Sequence, residues 1–199
     1  MKKSIVYVFL VLLVYHILFK SPIPGQIMMA DEYVFTYGET YERVWETYDK
    51  LPDKVKEMFE DNGYRMYVVS LIDDDESIMG QTRIGPRVIL IKNSGAFVER
   101  TTFHECGHML DDELAVTFIS NSDEFKSIYN EERLQFKADN NVEYFISTPM
   151  EYFASVFSEY MIRPARLKYN TPKTYTFPPY FILFQTLFYE SICLWCIIF

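Results

Sequence analysis

The stretch His104-Glu-Cys-Gly-His108 decides how this chain is interpreted. The segment 97–114 has the apolar periodicity of a helix, and two helical residues four apart, such as His104 and His108, project from one face. Their ring nitrogens can therefore meet at a single metal ion. Glu105 lies beside them, where its carboxylate can take a proton from a metal-bound water and later give it to a leaving amine. Zinc fits best, because neutral imidazole suits zinc and hydrolysis needs no redox change.

The distribution of histidines favours a shared role for this pair. Two histidines four residues apart also occur by chance on helix surfaces. The chain has 3 histidines, and one of them, His16, lies in an apolar N-terminal run. The other two both fall in the motif, which a predicted strand precedes. Cys106 and Gly107 are small, which is compatible with close packing of this helix against a sheet.

A catalytic zinc ion needs a third protein ligand, and spacing leaves that ligand open. A longer motif with a third histidine would require glycine at position 111 and histidine at position 114, where the chain has Asp111 and Leu114. The third ligand is therefore a carboxylate. Glu151 begins a predicted helix, but it also completes a capping box with Thr148, which explains it without a metal. The downstream candidates are Asp111, Asp112, Glu113, Asp123, Glu143, Glu151 and Glu159.

Composition predicts one globular domain and argues against nucleic-acid binding. Hydrophobic residues make up 49% of the 199 residues and charged residues 24%, which is enough to form a sizeable core. The net charge of -9 and the lack of clustered Lys and Arg argue against a phosphate-binding surface. Cys193 and Cys196 lie in an apolar tail without a second pair, so we interpret them as packing residues.

Both ends of the chain offer a means of contact with a membrane. Lys2-Lys3 precede the apolar run 5–19, which predicts a signal peptide or an N-terminal anchor within residues 1–30 and a metallopeptidase domain over residues 31–199. Secretion is the expectation, with anchoring at the cell surface as the alternative. The apolar segment 191–199 leaves three alternatives open: an anchor, a packed helix or an altered reading frame. The sequence does not specify an oligomeric state.

Periodicity and turn residues predict the order of helices and strands. The acidic segment 73–76 is expected to be a solvated turn. The predicted strands cover 64–72 and 87–92, and the predicted helices cover 39–60 with a break at Leu51-Pro52, 97–114, 122–136, 148–162 and 179–190.

Three ordered blocks resemble the lethal-factor-like zinc peptidases. This family comprises the catalytic domain of anthrax toxin lethal factor and the secreted clostridial Pro-Pro endopeptidases. The resemblance covers roughly residues 69–177. The blocks are His104–His108 followed by Asp111-Asp112, then Tyr144 seven residues before Glu151, then Asn170-Thr-Pro-Lys-Thr-Tyr175.

The resemblance implies a fold, a mechanism and a substrate class. The fold is α+β and zincin-like, with a small sheet, an active-site helix and a mainly helical C-terminal half. Glu151 becomes the third zinc ligand beside the two histidines, and the Tyr144 hydroxyl becomes the donor to the oxyanion. The segment from Arg87 to Lys92 becomes a sheet edge that could pair with an extended protein or peptide substrate. Proline-containing extracellular proteins are the expected targets.

The sequence departs from the family at one position, and two rival functions remain open. Ser155 stands where family members often have a glutamate one turn after the third ligand, so a contact that supports a metal ligand is expected to be missing. One rival is a non-catalytic binding or toxin-delivery domain that retains the fold; such domains typically lack the metal motif. Another is a structural surface protein anchored at its N-terminus.

Overall fold

The computed structural model describes residues 27–29, 38–140 and 142–177. The small sheet and the mainly helical C-terminal half confirm the predicted α+β zincin-like fold. Short 3-10 helices cover Ile119–Asn121 and Tyr144–Ile146. The other elements, in chain order, are β1 (Ile27–Met29), α1 (Gly38–Asp49), α2 (Asp53–Asp61), β2 (Arg65–Val69), β3 (Gly80–Arg83), β4 (Val88–Lys92), α3 (Val98–Glu113), α4 (Asp123–Asn140), α5 (Pro149–Ile162), α6 (Pro164–Asn170) and α7 (Pro172–Tyr175).

Within the described residues, the sheet has four strands in the order β1-β2-β4-β3. β1 pairs with β2 and β2 pairs with β4 in parallel, whereas β3 pairs with β4 in antiparallel orientation. The expectation that Arg87 to Lys92 forms a sheet edge was wrong, because β4 pairs with a strand on each side. The edge strands are β1 and β3, and sequence periodicity missed β3. Its four residues, Gly80-Gln-Thr-Arg83, are half-buried throughout and show no apolar alternation.

The helix that carries the motif, α3, lies at the centre of the domain. It contacts β3, β4, α1 and α5. Val98, Phe103, Met109 and Leu110 of α3 are buried in the main hydrophobic core. Cys106 is also fully buried there, and burial raises the pKa of its thiol well above the ordinary value. The free thiol is therefore a core residue.

Gly107 packs against α5 rather than against the sheet, which corrects the expectation for this residue. A Cβ atom added at Gly107 would lie 2.7 Å from the Cα atom of Ala154. That is far inside ordinary van der Waals contact, so only glycine permits this approach. The two helix backbones therefore almost touch in the middle of their interface.

The segment Pro172–Tyr175, which belongs to the third family block, is hydrogen-bonded to two helices at the C-terminal end of the described chain. The buried carboxylate of Glu132, on α4, accepts hydrogen bonds from the backbone N–H groups of Lys173 and Thr174 at 3.0 and 2.9 Å. It also accepts one from the Thr174 hydroxyl at 2.7 Å. Tyr152 of α5 is hydrogen-bonded to the same hydroxyl at 2.8 Å. This block thus links α4, α5 and α7.

Several predicted boundaries agree with the structure, and others fall outside it. Pro52 separates α1 from α2, as a proline inside a helical pattern predicts. The predicted helix over 179–190 and the Cys193–Cys196 pair lie outside the described residues. β1 lies within residues 1–30, the segment assigned to export, whose cleavage position stays a prediction. Among the described residues, no helix combines the length and apolar character that crossing a membrane would require.

Candidate metal centre

Three polar pairs connect the facing sides of α3 and α5. On each helix the three residues are four apart, so they lie on one face. The pairs run in opposite directions along the two helices, which makes the helices antiparallel. The paired atoms are Arg100 Nη2 with Glu159 Oε2 at 2.9 Å, His104 Nδ1 with Ser155 Oγ at 3.2 Å, and His108 Nε2 with Glu151 Oε2 at 3.5 Å.

Two imidazoles and one carboxylate converge at the end of this row of pairs. The Oε2 atom of Glu151 lies 3.1 Å from Nε2 of His104 and 3.5 Å from Nε2 of His108. The potential ligand atoms of all three residues lie within 4.8 Å of one another. Two nitrogen donors and one carboxylate form a ligand set of catalytic zinc sites, in which a fourth position stays open for water or substrate. The residues present therefore fit a zinc ion.

The N-terminus of α5 fixes the position of Glu151. Thr148 is the N-cap residue, and its hydroxyl accepts a hydrogen bond from the backbone N–H of Glu151 at 3.1 Å. Pro149 occupies the first turn, where its missing N–H costs no helical hydrogen bond. The cap uses the backbone of Glu151 and leaves its carboxylate free to face the histidines. The capping role and the ligand role are thus compatible.

The charges of this group reinforce one another. Burial raises the pKa of Glu151, but hydrogen bonds from both imidazoles outweigh burial, so the pKa is lowered overall. Burial lowers the pKa of His108, but the hydrogen bond to Glu151 and the nearby Glu105 carboxylate outweigh it and raise that pKa. A carboxylate held in its ionised form between two imidazoles is ready to bind a cation that displaces the imidazole protons.

Glu105 is buried on the side of α3 that faces β3. Its Oε2 atom lies 2.8 Å from the Thr82 hydroxyl. Burial raises the pKa of Glu105 above its ordinary value, whereas His104, His108 and the Thr82 hydrogen bond act in the opposite direction. A carboxylate with a raised pKa exchanges protons more readily near neutral pH, as general acid–base catalysis requires.

Tyr144 lies near His104, in the short helix Tyr144–Ile146. The centroid of its ring is 6.3 Å from that of the His104 ring, and 56% of the residue is exposed. Burial of its hydroxyl end and the Glu151 carboxylate raise the pKa of Tyr144. The phenol therefore keeps its proton at neutral pH and can donate a hydrogen bond.

Ser155 corrects the expectation of a missing contact. Its buried hydroxyl lies 3.2 Å from Nδ1 of His104, the ring nitrogen that is not directed at Glu151. A hydrogen bond to that nitrogen fixes the tautomer and the orientation of a ligand imidazole. The short serine side chain reaches the ring because the two helix backbones are so close at Gly107 and Ala154. A hydroxyl supports the ligand here.

The other carboxylates considered as third ligands have different places. Asp111 is buried and accepts a hydrogen bond from the backbone N–H of Ser120 at 2.7 Å. The Glu159 carboxylate forms ion pairs with Arg100 and Arg163. Among the described residues, Glu151 alone joins His104 and His108 in a group whose donor atoms meet. The candidates outside this group are Asp111, Asp112, Glu113, Asp123, Glu143 and Glu159.

A cavity of about 560 Å³ opens beside His104 and Glu105. Much of its wall is apolar and comes from the start of β3, the N-terminus of α3 and the segment 142–145. Phe97 lines it with a left-handed φ of 55° while 72% of the residue is exposed. A bulky residue in that conformation is unusual and occurs where surrounding structure holds it. Neither Phe97 nor Thr82 could be predicted as a site residue from the sequence, since neither belongs to a recognisable motif.

Comparisons with known proteins agree with this fold. The family model described as "Anthrax toxin lethal factor, N- and C-terminal domain" matches residues 29–179. The solved structure of the Pro-Pro endopeptidase from Paenibacillus alvei matches with a TM-score of 0.57 and 20% sequence identity, covering 75% of this chain and 92% of that one. At this identity the match shows a shared fold. No curated protein matches the chain. Because the family model spans well over half of the chain, this protein belongs to the anthrax lethal-factor family, which includes the Pro-Pro endopeptidases.

Proposed function

We propose that this chain is a zinc metalloendopeptidase. The observation that carries the proposal is the meeting of His104, His108 and Glu151 within 4.8 Å, beside a cavity that Glu105 also lines. Family membership supports a metallopeptidase type of function. The ligand set argues against a non-catalytic binding domain, which would not need two imidazoles, a carboxylate and an acid–base residue together.

His104, His108 and Glu151 would hold one zinc ion. When bound, zinc supplies Lewis acidity, which lowers the pKa of a water molecule and polarises a carbonyl group. The protein supplies the orientation of the ligands. Ser155 fixes the ring of His104, and the Thr148 cap fixes the start of the helix that carries Glu151.

Glu105 and Tyr144 would act on the substrate. The Glu105 carboxylate accepts a proton from the attacking water as the water oxygen bonds to the scissile carbonyl carbon. As the C–N bond breaks, Glu105 passes that proton to the leaving nitrogen. The Tyr144 hydroxyl donates a hydrogen bond to the carbonyl oxygen while that oxygen gains negative charge. The two residues thus divide proton transfer and charge stabilisation between them.

The substrate we propose is a peptide or protein segment in extended conformation. β3 pairs with β4 on one side, and the apolar cavity at the start of β3 can receive side chains of a bound chain. The similarity to a Pro-Pro endopeptidase supports proline-containing proteins as targets. The basic and apolar N-terminal segment supports secretion, with anchoring at the cell surface as the alternative.

A peptide library tests this function. Purified protein loaded with zinc would be incubated with peptides that contain or lack Pro-Pro sequences, and products would be identified by mass spectrometry. We expect cleavage that stops after zinc removal by a chelator and returns when zinc is added. Protein that binds no zinc and cleaves nothing would favour the non-catalytic domain. Cleavage without preference for proline would retain the peptidase and reject the target class.

A further inference from the structure

We infer that β3 positions the Glu105 carboxylate, with Gly80 leaving the space for it and the Thr82 hydroxyl holding it. This inference rests on the proposed function, in which Glu105 transfers protons. It assigns to two residues of the edge strand a role that no motif in the sequence indicates. Gly80 and Thr82 are positioning residues, since they act through Glu105.

Thr82 binds the general base at two points. Its Oγ1 atom lies 2.8 Å from the Oε2 atom of Glu105 and 2.9 Å from the backbone carbonyl oxygen of the same residue. The hydroxyl has one proton and donates to one of these oxygens at a time. A bond to the ionised carboxylate is charge-assisted and stronger than the bond to the carbonyl. Thr82 therefore restricts both the backbone and the carboxylate of Glu105.

Gly80 lies two residues earlier on β3 and faces Glu105 as well. A Cβ atom added there would lie 2.7 Å from Oε1 and 2.8 Å from Cγ of Glu105, and 2.6 Å from Cγ2 of Thr101. Any side chain at this position would overlap with the place where the carboxylate now lies. The carboxylate is thus enclosed, with one oxygen against Gly80 and the other against Thr82.

The register of the sheet gives β3 this role. Alternate residues of a strand point to the same face, so Gly80 and Thr82 face α3 together while Gln81 and Arg83 point away. Arg83 and Gln81 indeed contact Asp73, at 2.6 and 2.9 Å. The antiparallel pairing of β3 with β4 fixes this arrangement, because a slip by one residue would reverse the two faces.

The enclosure matters for catalysis because proton transfer depends on distance. A reacting group displaced by about 1 Å can slow a reaction by about 100-fold. Free rotation of a glutamate side chain would spread its carboxylate over larger distances than that. β3 restricts Glu105 from the strand side, and Glu105 lines the cavity that we propose the substrate enters.

Four variants of the full chain test the inference. Thr82→Val removes the hydroxyl and keeps the shape, and Thr82→Ser keeps the hydroxyl. Gly80→Ala introduces the overlapping Cβ, and Gly85→Ala is the matched control, because a Cβ there meets nothing within 4 Å. For each zinc-loaded variant, kcat and KM on a cleaved peptide, the zinc dissociation constant and the melting temperature would be measured.

We expect kcat to fall about 10- to 100-fold in Thr82→Val and Gly80→Ala, in line with displacement of a reacting group. KM and the zinc dissociation constant should change by less than about threefold, since neither residue contacts a ligand atom. Thr82→Ser, which keeps the hydroxyl, should recover most of the kcat that Thr82→Val loses, and Gly85→Ala should match the wild type. A purely structural role would instead lower the melting temperature and zinc binding together with kcat, and that result would overturn the inference.

Retention of wild-type kcat by both Thr82→Val and Gly80→Ala would also overturn it. Failure of the proposed function is a separate outcome, in which the zinc-loaded wild type cleaves no peptide. Crystal structures of the wild type and of Thr82→Val would then decide the positional claim. We expect the Glu105 carboxylate to leave its place against Gly80 in the variant, and an unmoved carboxylate would refute the claim.

Discussion

Replacement of Gly107 by alanine should loosen the metal site through the helix interface. The added Cβ would lie 2.7 Å from Cα, 3.0 Å from O and 3.2 Å from C of Ala154. Carbon atoms pack at about 3.5–4.0 Å, so α3 and α5 would have to separate by about 1 Å. All three clashes involve backbone atoms, and no change of side-chain rotamer relieves them.

The energetic cost divides between folding and metal binding. Overpacking of this kind costs about 1–3 kcal/mol. Alanine gains about 1 kcal/mol over glycine inside a helix, which leaves a net loss of roughly 0–2 kcal/mol in metal-free protein. Zinc binding should suffer more, because His104 and His108 lie on α3 and Glu151 lies on α5. Ligand distances tolerate changes of only about 0.2 Å. We expect zinc affinity to fall by about 100-fold or more, beyond the loss usual for a residue that only supports a ligand.

Competition with a chromophoric chelator would give the zinc dissociation constant of Gly107→Ala, and urea unfolding of the metal-free protein would give its stability. Gly85→Ala is the control, since its Cβ would meet nothing within 4 Å. A Gly107→Ala variant with wild-type zinc affinity and wild-type stability would refute the reasoning. It would mean that the helices do not approach as closely as the structure shows.

Three further substitutions separate the roles assigned to neighbouring residues. Ser155→Ala should weaken zinc affinity about 10- to 100-fold in the same chelator assay, because His104 loses its orienting partner; unchanged affinity would make the 3.2 Å contact incidental. Thr148→Ala should lower the free energy of unfolding, measured in urea, by about 1 kcal/mol, because the helix cap is lost. An unchanged urea midpoint would show that the cap does not stabilise the fold. Tyr144→Phe should lower kcat by about 100-fold in a peptide assay while zinc affinity is retained, and an equal loss of zinc binding would show that the hydroxyl supports the metal instead.

Part of the candidate site could be predicted because the spacing of its residues along one helix determines which side chains can meet. Two histidines four apart meet on any helix, so His104, His108 and Glu105 followed from one turn of sequence. Glu151 was different: periodicity placed it on a helix, but only the family resemblance distinguished it from other carboxylates. Its convergence with the histidines depends on how α5 crosses α3, which no local pattern encodes.

The parts that sequence analysis missed are those that tertiary contacts determine. β3 is short and polar, and it is a strand because β4 offers a partner and α3 covers one face. The family resemblance implied an edge at β4, but β3 pairs with β4 and forms the edge on that side. Ser155 was expected to leave a gap in the support of a metal ligand, because family members often have a glutamate at this position. The gap closes because the helix spacing is set elsewhere, at Gly107 and Ala154.

The most direct test of the central claim is the rate of peptide cleavage by Glu105→Gln loaded with one equivalent of zinc, measured beside the wild type. Glutamine keeps the shape of glutamate and cannot take up the proton. The account predicts wild-type zinc binding by the variant and cleavage slowed by about 100- to 10,000-fold, the range typical of general acid–base catalysis. A variant that binds zinc and cleaves the peptide at the wild-type rate would contradict the mechanism.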